Sequence, residues 1–293
     1  MWFIFAILTS LTYALYHICN QHSKLTADIF IIYRGFLTAI IAAPLALFYY
    51  HIFPWQFYAI VAFQGITISY MDYKYFQAFH KFGAENVNAV RPLTVFIIFI
   101  FWLIFKPGLI DSYLATPVKS AVILASLGGI VCAVMKYRNQ HIGRQCLREI
   151  FPLLLLSSAV DVSNKLITEY NDGLLLPLTF HRVAFTGLII GGINLFLNYK
   201  KINPKELADL NNIRKGSFII FLILSMILIN LAMYYTINPA YTTAITYLSV
   251  IWIVIINKIS FYFSKEKSYP HIALKWILLL LFSAIVLLLA TQS

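Results

Sequence analysis

About ten runs of predominantly apolar residues follow one another with little chain between them, at roughly 2–20, 28–49, 55–79, 86–105, 118–136, 150–168, 176–197, 217–236, 241–259 and 271–290. About 20 residues are needed for a helix to cross hydrocarbon, and such a helix satisfies its own backbone there; a membrane-spanning strand needs only about 9–11. The run lengths therefore predict an all-α membrane protein with about ten transmembrane helices. Hydrophobic residues make up 61% of the chain and charged ones 11%, against about 45–50% and about 25% in soluble domains. The longest connections, near 137–149 and 198–216, are basic and too short to fold alone. Pro54, Pro117, Pro152, Pro177 and Pro270 stand where helices are expected to begin. The N-terminal run has neither the basic flank nor the small-residue cleavage site of a signal peptide.

The net charge of +11 is distributed as a topology signal, which removes nucleic acid as an expected partner. Connections after odd-numbered runs, with their flanks, carry fifteen of the 22 lysines and arginines. The even-numbered connections and the two termini carry only Lys106 and Lys119. Basic loops stay on the cytoplasmic side, so both termini are expected outside the cytoplasm.

Inside the apolar runs the chain repeats a polar pattern. His17, Asn20, Gln21 and Lys24 fall at i, i+3, i+4 and i+7, and Asp161, Asn164, Lys165 and Thr168 repeat the spacing. Each set lies along one helical stripe and is followed by an aromatic-Arg step, Tyr33-Arg34 and His181-Arg182. A looser match relates YFQAFHKFGAENVNAVRPLTVF to AMYYTINPAYTTAITYLSVIW, with turns at Gly83 and Pro239. Two units of five spans must sit in opposite orientations, the inverted-repeat plan of secondary transporters. The expected division is a first repeat over 1–136, a basic connection over 137–149 and a second repeat over 150–290.

The residues that carry this plan resemble the drug/metabolite transporter superfamily, EamA-like branch. They are Asn20 with Lys24, YRGFLTAIIAAPLALF, and FQAFHKFGAENVNAVRPLTVFIIFIFWLIF in the first half. In the second they are Ser163-Asn164-Lys165, FHRVAFTGLIIGG and the turn at Asn238-Pro239. The resemblance implies a ten-helix carrier of the bacterial inner membrane with a central cavity and alternating access. A fainter one, resting on Asp161, Asn164 and Lys165, is to S-adenosylmethionine carriers of intracellular bacteria. The chain departs from the family pattern at Asp72 and Lys74, where relatives carry apolar or amide residues.

Seven formal charges are expected at membrane depth: Arg34, Asp72, Lys74, Arg91, Asp161, Lys165 and Arg182. Each costs about 2.5–3.5 kcal/mol at mid-helix, so they should face an internal hydrated or ion-paired space. Arg34, Asp72, Lys74 and Arg91 lie toward one membrane face and Asp161, Lys165 and Arg182 toward the other, which predicts two charged clusters related by the repeat. Candidate substrate contacts are Asn20, Tyr33, Arg34, Lys74, Arg91, Asn164, Lys165, Arg182 and Tyr247. Asp72 and Asp161 either pair with neighbouring arginines or exchange a proton. For each other group a structural role stands beside the functional one: arginines tying helix ends, lysines snorkelling, asparagines bonding helix to helix. The excess of positive charge points to an anionic or zwitterionic small molecule, held by arginine through paired hydrogen bonds. Pro92, directly after Arg91, offers a hinge. No metal site or cofactor is expected. Cys19, Cys132 and Cys146 suit neither a disulfide framework nor metal-ligand spacing, and no nucleophile elbow or phosphate loop suggests an enzyme. A lipid or drug flippase on the same fold is the alternative function.

Overall fold

The computed structural model describes residues 1–23, 25–82, 87–88, 90–136, 144–169, 174–199, 204–207, 209–264 and 274–292. Regular secondary structure among them is entirely helical. The first half comprises α1 (Trp2–Ser23), α2 (Ala27–Phe48), α3 (Trp55–Phe82), a 3-10 turn (Arg91–Leu93) leading into α4 (Thr94–Phe105), α5 (Gly108–Ala115) and α6 (Pro117–Lys136). The second comprises α7 (Arg144–Glu169), α8 (Leu175–Asn198), short α9 (Pro204–Leu207) and α10 (Leu210–Gly216), α11 (Ile219–Tyr235), α12 (Pro239–Thr246), α13 (Ser249–Ser264) and α14 (Leu274–Gln292). Among the described residues, 8 helical stretches are long and apolar enough to cross a membrane, or 9 if the bent pair Arg91–Phe105 and Gly108–Ala115 counts as one. The protein is an all-α membrane protein. α3, with 28 residues, lies outside that set because Gln64, Asp72 and Lys74 lower its hydropathy. One of its faces is covered by α7 and α8.

Three features differ from the sequence expectation. α7 begins at Arg144, so residues 144–149 are helix rather than connecting loop and Pro152 lies inside the helix. The charged first turn continues the helix beyond the apolar run, and there Glu149 pairs with Lys81 of α3 at 2.6 Å. Residues 137–143 and Pro270 lie outside the described residues, as does Lys24. Second, the connection after the fourth run contains α5, turned by 113° from the helix before it. Pro107 ends the preceding path because it lacks an amide donor, and Ile110 and Leu114 stay exposed on the short helix. Third, the fourth and ninth runs each change hydrogen bonding near their beginnings, at a 3-10 turn over Arg91–Leu93 and at Tyr247 and Leu248.

α2 and α8 form the closest pair, through small residues. A Cβ at Gly35 would overlap the backbone of Gly191 and come within 2.9 Å of the Gly187 carbonyl. A Cβ at Gly187 would lie 2.9 Å from the Ala39 nitrogen. Water gives no drive to join helices inside lipid, so backbones approach through such small-xxx-small stripes and gain dispersion contact instead. Around this pair, α1 packs on α11, α12 and α13, α7 packs on α3 and α4, and α6 packs on α14. The main apolar cluster contains Trp102, Ile98, Leu127, Ile130, Ile245 and Leu287, and joins α4, α6, α12 and α14.

Candidate functional site

The two broken helices meet. Pro92 sits in the 3-10 turn Arg91–Leu93, and α12 and α13 are separated by Tyr247 and Leu248. Proline removes a backbone donor and loosens the ladder before it; the Arg91 carbonyl accepts the Thr94 amide within the 3-10 turn and takes further partners. It receives them from the hydroxyls of Tyr247, at 2.9 Å, and Thr94, at 2.9 Å. Tyr247 and Thr94 hydroxyls are 3.2 Å apart. Tyr247, an expected substrate contact, thus fastens one break to the other. Pro92, the residue expected as a hinge, lies in this 3-10 turn.

Charged groups gather beside this junction. One guanidinium nitrogen of Arg34 (α2) reaches both carboxylate oxygens of Asp72 (α3), at 2.7 and 2.6 Å. Their side chains keep 21% and 15% exposure, so protein surrounds the pair incompletely. Deeper, Arg182 (α8) donates to the side-chain carbonyl of Asn164 and, at 3.4 Å, to that of Gln64. The Gln64 amide in turn donates to the Ser163 hydroxyl at 2.8 Å. Arg182, Asn164, Gln64 and Ser163 are all buried, and they tie α3, α7 and α8 together through neutral acceptors. The fields of Arg91 and Arg182 both reach Asp161, and Arg91 lies over the ring of Tyr75 with 5.6 Å to the centroid. Arg91, expected in one cluster, and Arg182, expected in the other, thus both act on Asp161.

Other expected site residues fall elsewhere. Tyr33 points away from its neighbour Arg34 and donates to the carbonyl of Leu207 at 2.9 Å, strapping α9 to α2. Lys74 lies near the exposed rings of Tyr70 and Tyr73, 5.9 Å from each centroid, with Gln77 at 3.3 Å. It is apart from the Arg34–Asp72 pair because two residues along a helix turn a side chain by more than half a revolution. Lys165 follows its stem to the carbonyl of Tyr234, at 3.5 Å, with Glu169 at 4.0 Å. Asn20 is half-buried on α1, one turn beyond Tyr16. His181, buried, directs its ring nitrogen to the Pro177 carbonyl at 2.8 Å. Tyr13 and His17 of α1 join the central group: the fields of Arg34 and Arg91 reach both. Tyr13 and Gln64 carry no distinguishing sequence signal beyond being polar groups in apolar runs. No group of three or more potential metal ligands occurs among the described residues.

The two ends of the site differ. Toward the connections after the first and third runs, Arg34 and Asp72 keep partial exposure and His17 is exposed. Toward the other face the groups are tied shut. Lys106 pairs with Glu169 at 2.6 Å, and Trp102 donates to the Ile237 carbonyl at 2.8 Å. Tyr113 of α5 bonds the hydroxyl of Tyr241, with the Asn238 amide 3.5 Å away.

No protein-family model and no curated protein matches this chain. A solved structure, described only as a crystal structure of a protein, is similar over 99% of this chain and 97% of its own, with TM-score 0.68 and 12% identity. That similarity shows the fold alone.

Proposed function

We propose that this chain is a secondary active carrier of a small polar metabolite with an anionic or zwitterionic group, working by alternating access. The observation that carries the reading is a charged, partly exposed centre beside two helices of irregular hydrogen bonding, more exposed toward one face and tied by side-chain bonds toward the other. Discontinuous helices flanking a midplane site, in an inverted duplication, are the recurring plan of such carriers. A twofold relation between the halves is supported by the packing. An offset of 148 residues carries Arg34 to Arg182 and Ala39 to Gly187, and Ala39 touches Gly187. An offset of 156 carries Gly83 to Pro239 in sequence and Arg91 to Tyr247, and Tyr247 bonds Arg91. Positions exchanged by a twofold axis touch where the axis passes between them. The pairing of α1 with α11 has its counterpart in α7 with α3, and that of α1 with α12 and α13 in α7 with α4. Counting α3 and the bent pair with the eight apolar stretches gives ten crossings in two inverted sets of five, which agrees with the EamA-like resemblance and a bacterial inner-membrane location. The positive-inside rule puts the accessible end on the cytoplasmic side and both termini on the other.

Uptake into proteoliposomes of a labelled panel (amino acids, nucleotides, S-adenosylmethionine and a neutral drug), with and without a pH gradient, tests the reading. Saturable uptake of an anionic or zwitterionic class is expected, lost with Arg91→Gln. Absence of uptake together with transfer of labelled lipid between leaflets would replace the metabolite carrier by a flippase.

A further inference from the structure

The two halves carry corresponding arginines that are neutralised differently. An offset of 148 residues carries Arg34 to Arg182, and each is the eighth residue of its helix, α2 or α8. Arg34 meets Asp72 of α3 at 2.6 Å. An offset of 156 carries Asp72 to Leu228 of α11, between Ile227 and Ile229. The second half therefore has no acid where the first half has one. Among the described residues, Arg182 has no carboxylate within 4.0 Å.

Arg182 is nevertheless buried, with 4% exposure. Its described hydrogen bonds both leave from Nη1, to the neutral side-chain carbonyls of Asn164 and Gln64. Nε is buried and has no partner among the described residues. The hydroxyls of Thr179 and Thr186, one turn before and one turn after on the same face of α8, are buried and unpartnered there too. The guanidinium is held in place from one side. Gln64 is fixed by the Ser163 hydroxyl at 2.8 Å, and Gly65 beside it lets α3 approach α8, since a Cβ there would come within 2.6 Å of Ile189. Arg91 differs, being only half-buried and lying over the Tyr75 ring. A buried charge without a counter-ion is strongly destabilising, and a ligand that brings an anion to Arg182 removes that cost.

We infer that Arg182 is the receptor for the substrate's anionic group, and that this group is a single carboxylate taken on the Nε–Nη2 edge of the guanidinium. This rests on the carrier reading above and narrows it. Two parallel N–H donors on that edge match the two oxygens of a carboxylate. The amide carbonyls on Nη1 set the fork before the ligand arrives, which lowers the entropy lost on binding. A phosphate monoester carries a charge of about −1.5 to −2, more than this one arginine neutralises. Arg34, already closed on Asp72, is a tie between helices and not an anchor. Loss of a charged hydrogen-bonded contact costs about ten- to a hundredfold in affinity, so an acid should outcompete its uncharged amide by about tenfold or more.

The decisive variant is Gln64→Glu. It puts a carboxylate where a neutral carbonyl now faces Arg182 at 3.4 Å, and so copies in the second half what Asp72 does for Arg34. The test uses full-length protein in proteoliposomes, with L-phenylalanine, L-methionine and L-lysine, each against its carboxamide, and AMP against adenosine. The expected result is saturable uptake of at least one amino acid, with its carboxamide competing about tenfold or more weakly. Gln64→Glu should melt in detergent at or above the parental temperature, yet bind that amino acid about tenfold or more weakly. Arg182→Gln should abolish the preference for acid over carboxamide, and Arg182→Lys, which keeps the charge but not the edge, should retain part of it. If Arg182 were only a strut, Gln64→Glu would keep parental affinity, and that result in a folded variant overturns the inference. Equal competition by acid and carboxamide in the parent overturns it as well, whatever the variants do, and leaves the carrier standing. Uptake of AMP but of no amino acid would make the anion a phosphate and overturn the carboxylate assignment. If none of these compounds is taken up, the inference falls, and the wider panel above separately decides the carrier.

Discussion

Gly35→Leu is expected to remove correctly assembled protein, the largest loss of any single substitution in the α2–α8 pair. The side chain it introduces meets backbone, since a Cβ there overlaps Gly191 and lies 2.9 Å from the Gly187 carbonyl oxygen. Rotamer changes relieve side-chain crowding, but here two helices must separate. Overpacking of a core costs about 1–3 kcal/mol, and parting the central pair should exceed that range. Gly192→Leu is the matched control, because a Cβ at Gly192 meets nothing within 4 Å. Size-exclusion profiles and melting temperatures in detergent should show aggregation or a strongly lowered melting point for Gly35→Leu, and near-parental behaviour for Gly192→Leu. Equal behaviour of the two would refute the close packing of α2 on α8.

Arg34→Ala should destabilise the protein strongly, and the cause can be isolated by a double substitution. Removing one partner of a buried ion pair leaves an uncompensated charge and costs about 3–5 kcal/mol. Arg34 and Asp72 are not fully enclosed, their side chains keeping 21% and 15% exposure, so the low end, about 3 kcal/mol, is expected. Arg34→Met with Asp72→Leu should recover most of that stability, because an apolar pair of similar volume replaces two desolvated charges. In the carrier reading the double variant, although folded, transports poorly, since the accessible end of the cavity has lost its polar lining. Thermal unfolding of the parent, Arg34→Met, Asp72→Leu and the double variant measures the coupling directly. Additive losses, with no recovery in the double variant, would mean that the pair is not the source of the effect.

Much of the helical plan was legible because lipid imposes a strict length and polarity on each crossing. Run boundaries at 28–49, 118–136 and 176–197 lie within two residues of α2, α6 and α8. α5 was not legible: its apolar and polar letters do not differ from those of a connection, and its place comes from tertiary contacts such as Tyr113 with Tyr241 and Phe99. The start of α7 was misplaced because hydropathy marks where a helix enters lipid, not where its hydrogen bonding begins. Among the charges, their presence inside the bundle could be read from cost alone, and the partners could not. Tyr33 and Arg34 are adjacent in sequence, yet one fastens α9 while the other binds Asp72. Pairing depends on which helices pack together, and Gln64, apolar in context and far away in sequence, supplies an acceptor to Arg182.

The most direct test of alternating access is thiol labelling from each side of the membrane. Cys19, Cys132 and Cys146, all free, would be replaced by alanine, and single cysteines placed at His17, which is exposed, or at Ser163, which is buried on the bolted side. The account predicts that an impermeant reagent modifies His17→Cys only from the face bearing the basic connections and leaves Ser163→Cys largely unmodified. Adding Glu169→Gln, which removes the ties to Lys106 and Lys165, should raise labelling of Ser163→Cys from the opposite face and lower that of His17→Cys. Labelling of both positions from one face, or a rise at Ser163→Cys with no fall at His17→Cys, would contradict a carrier that exposes its site to one side at a time.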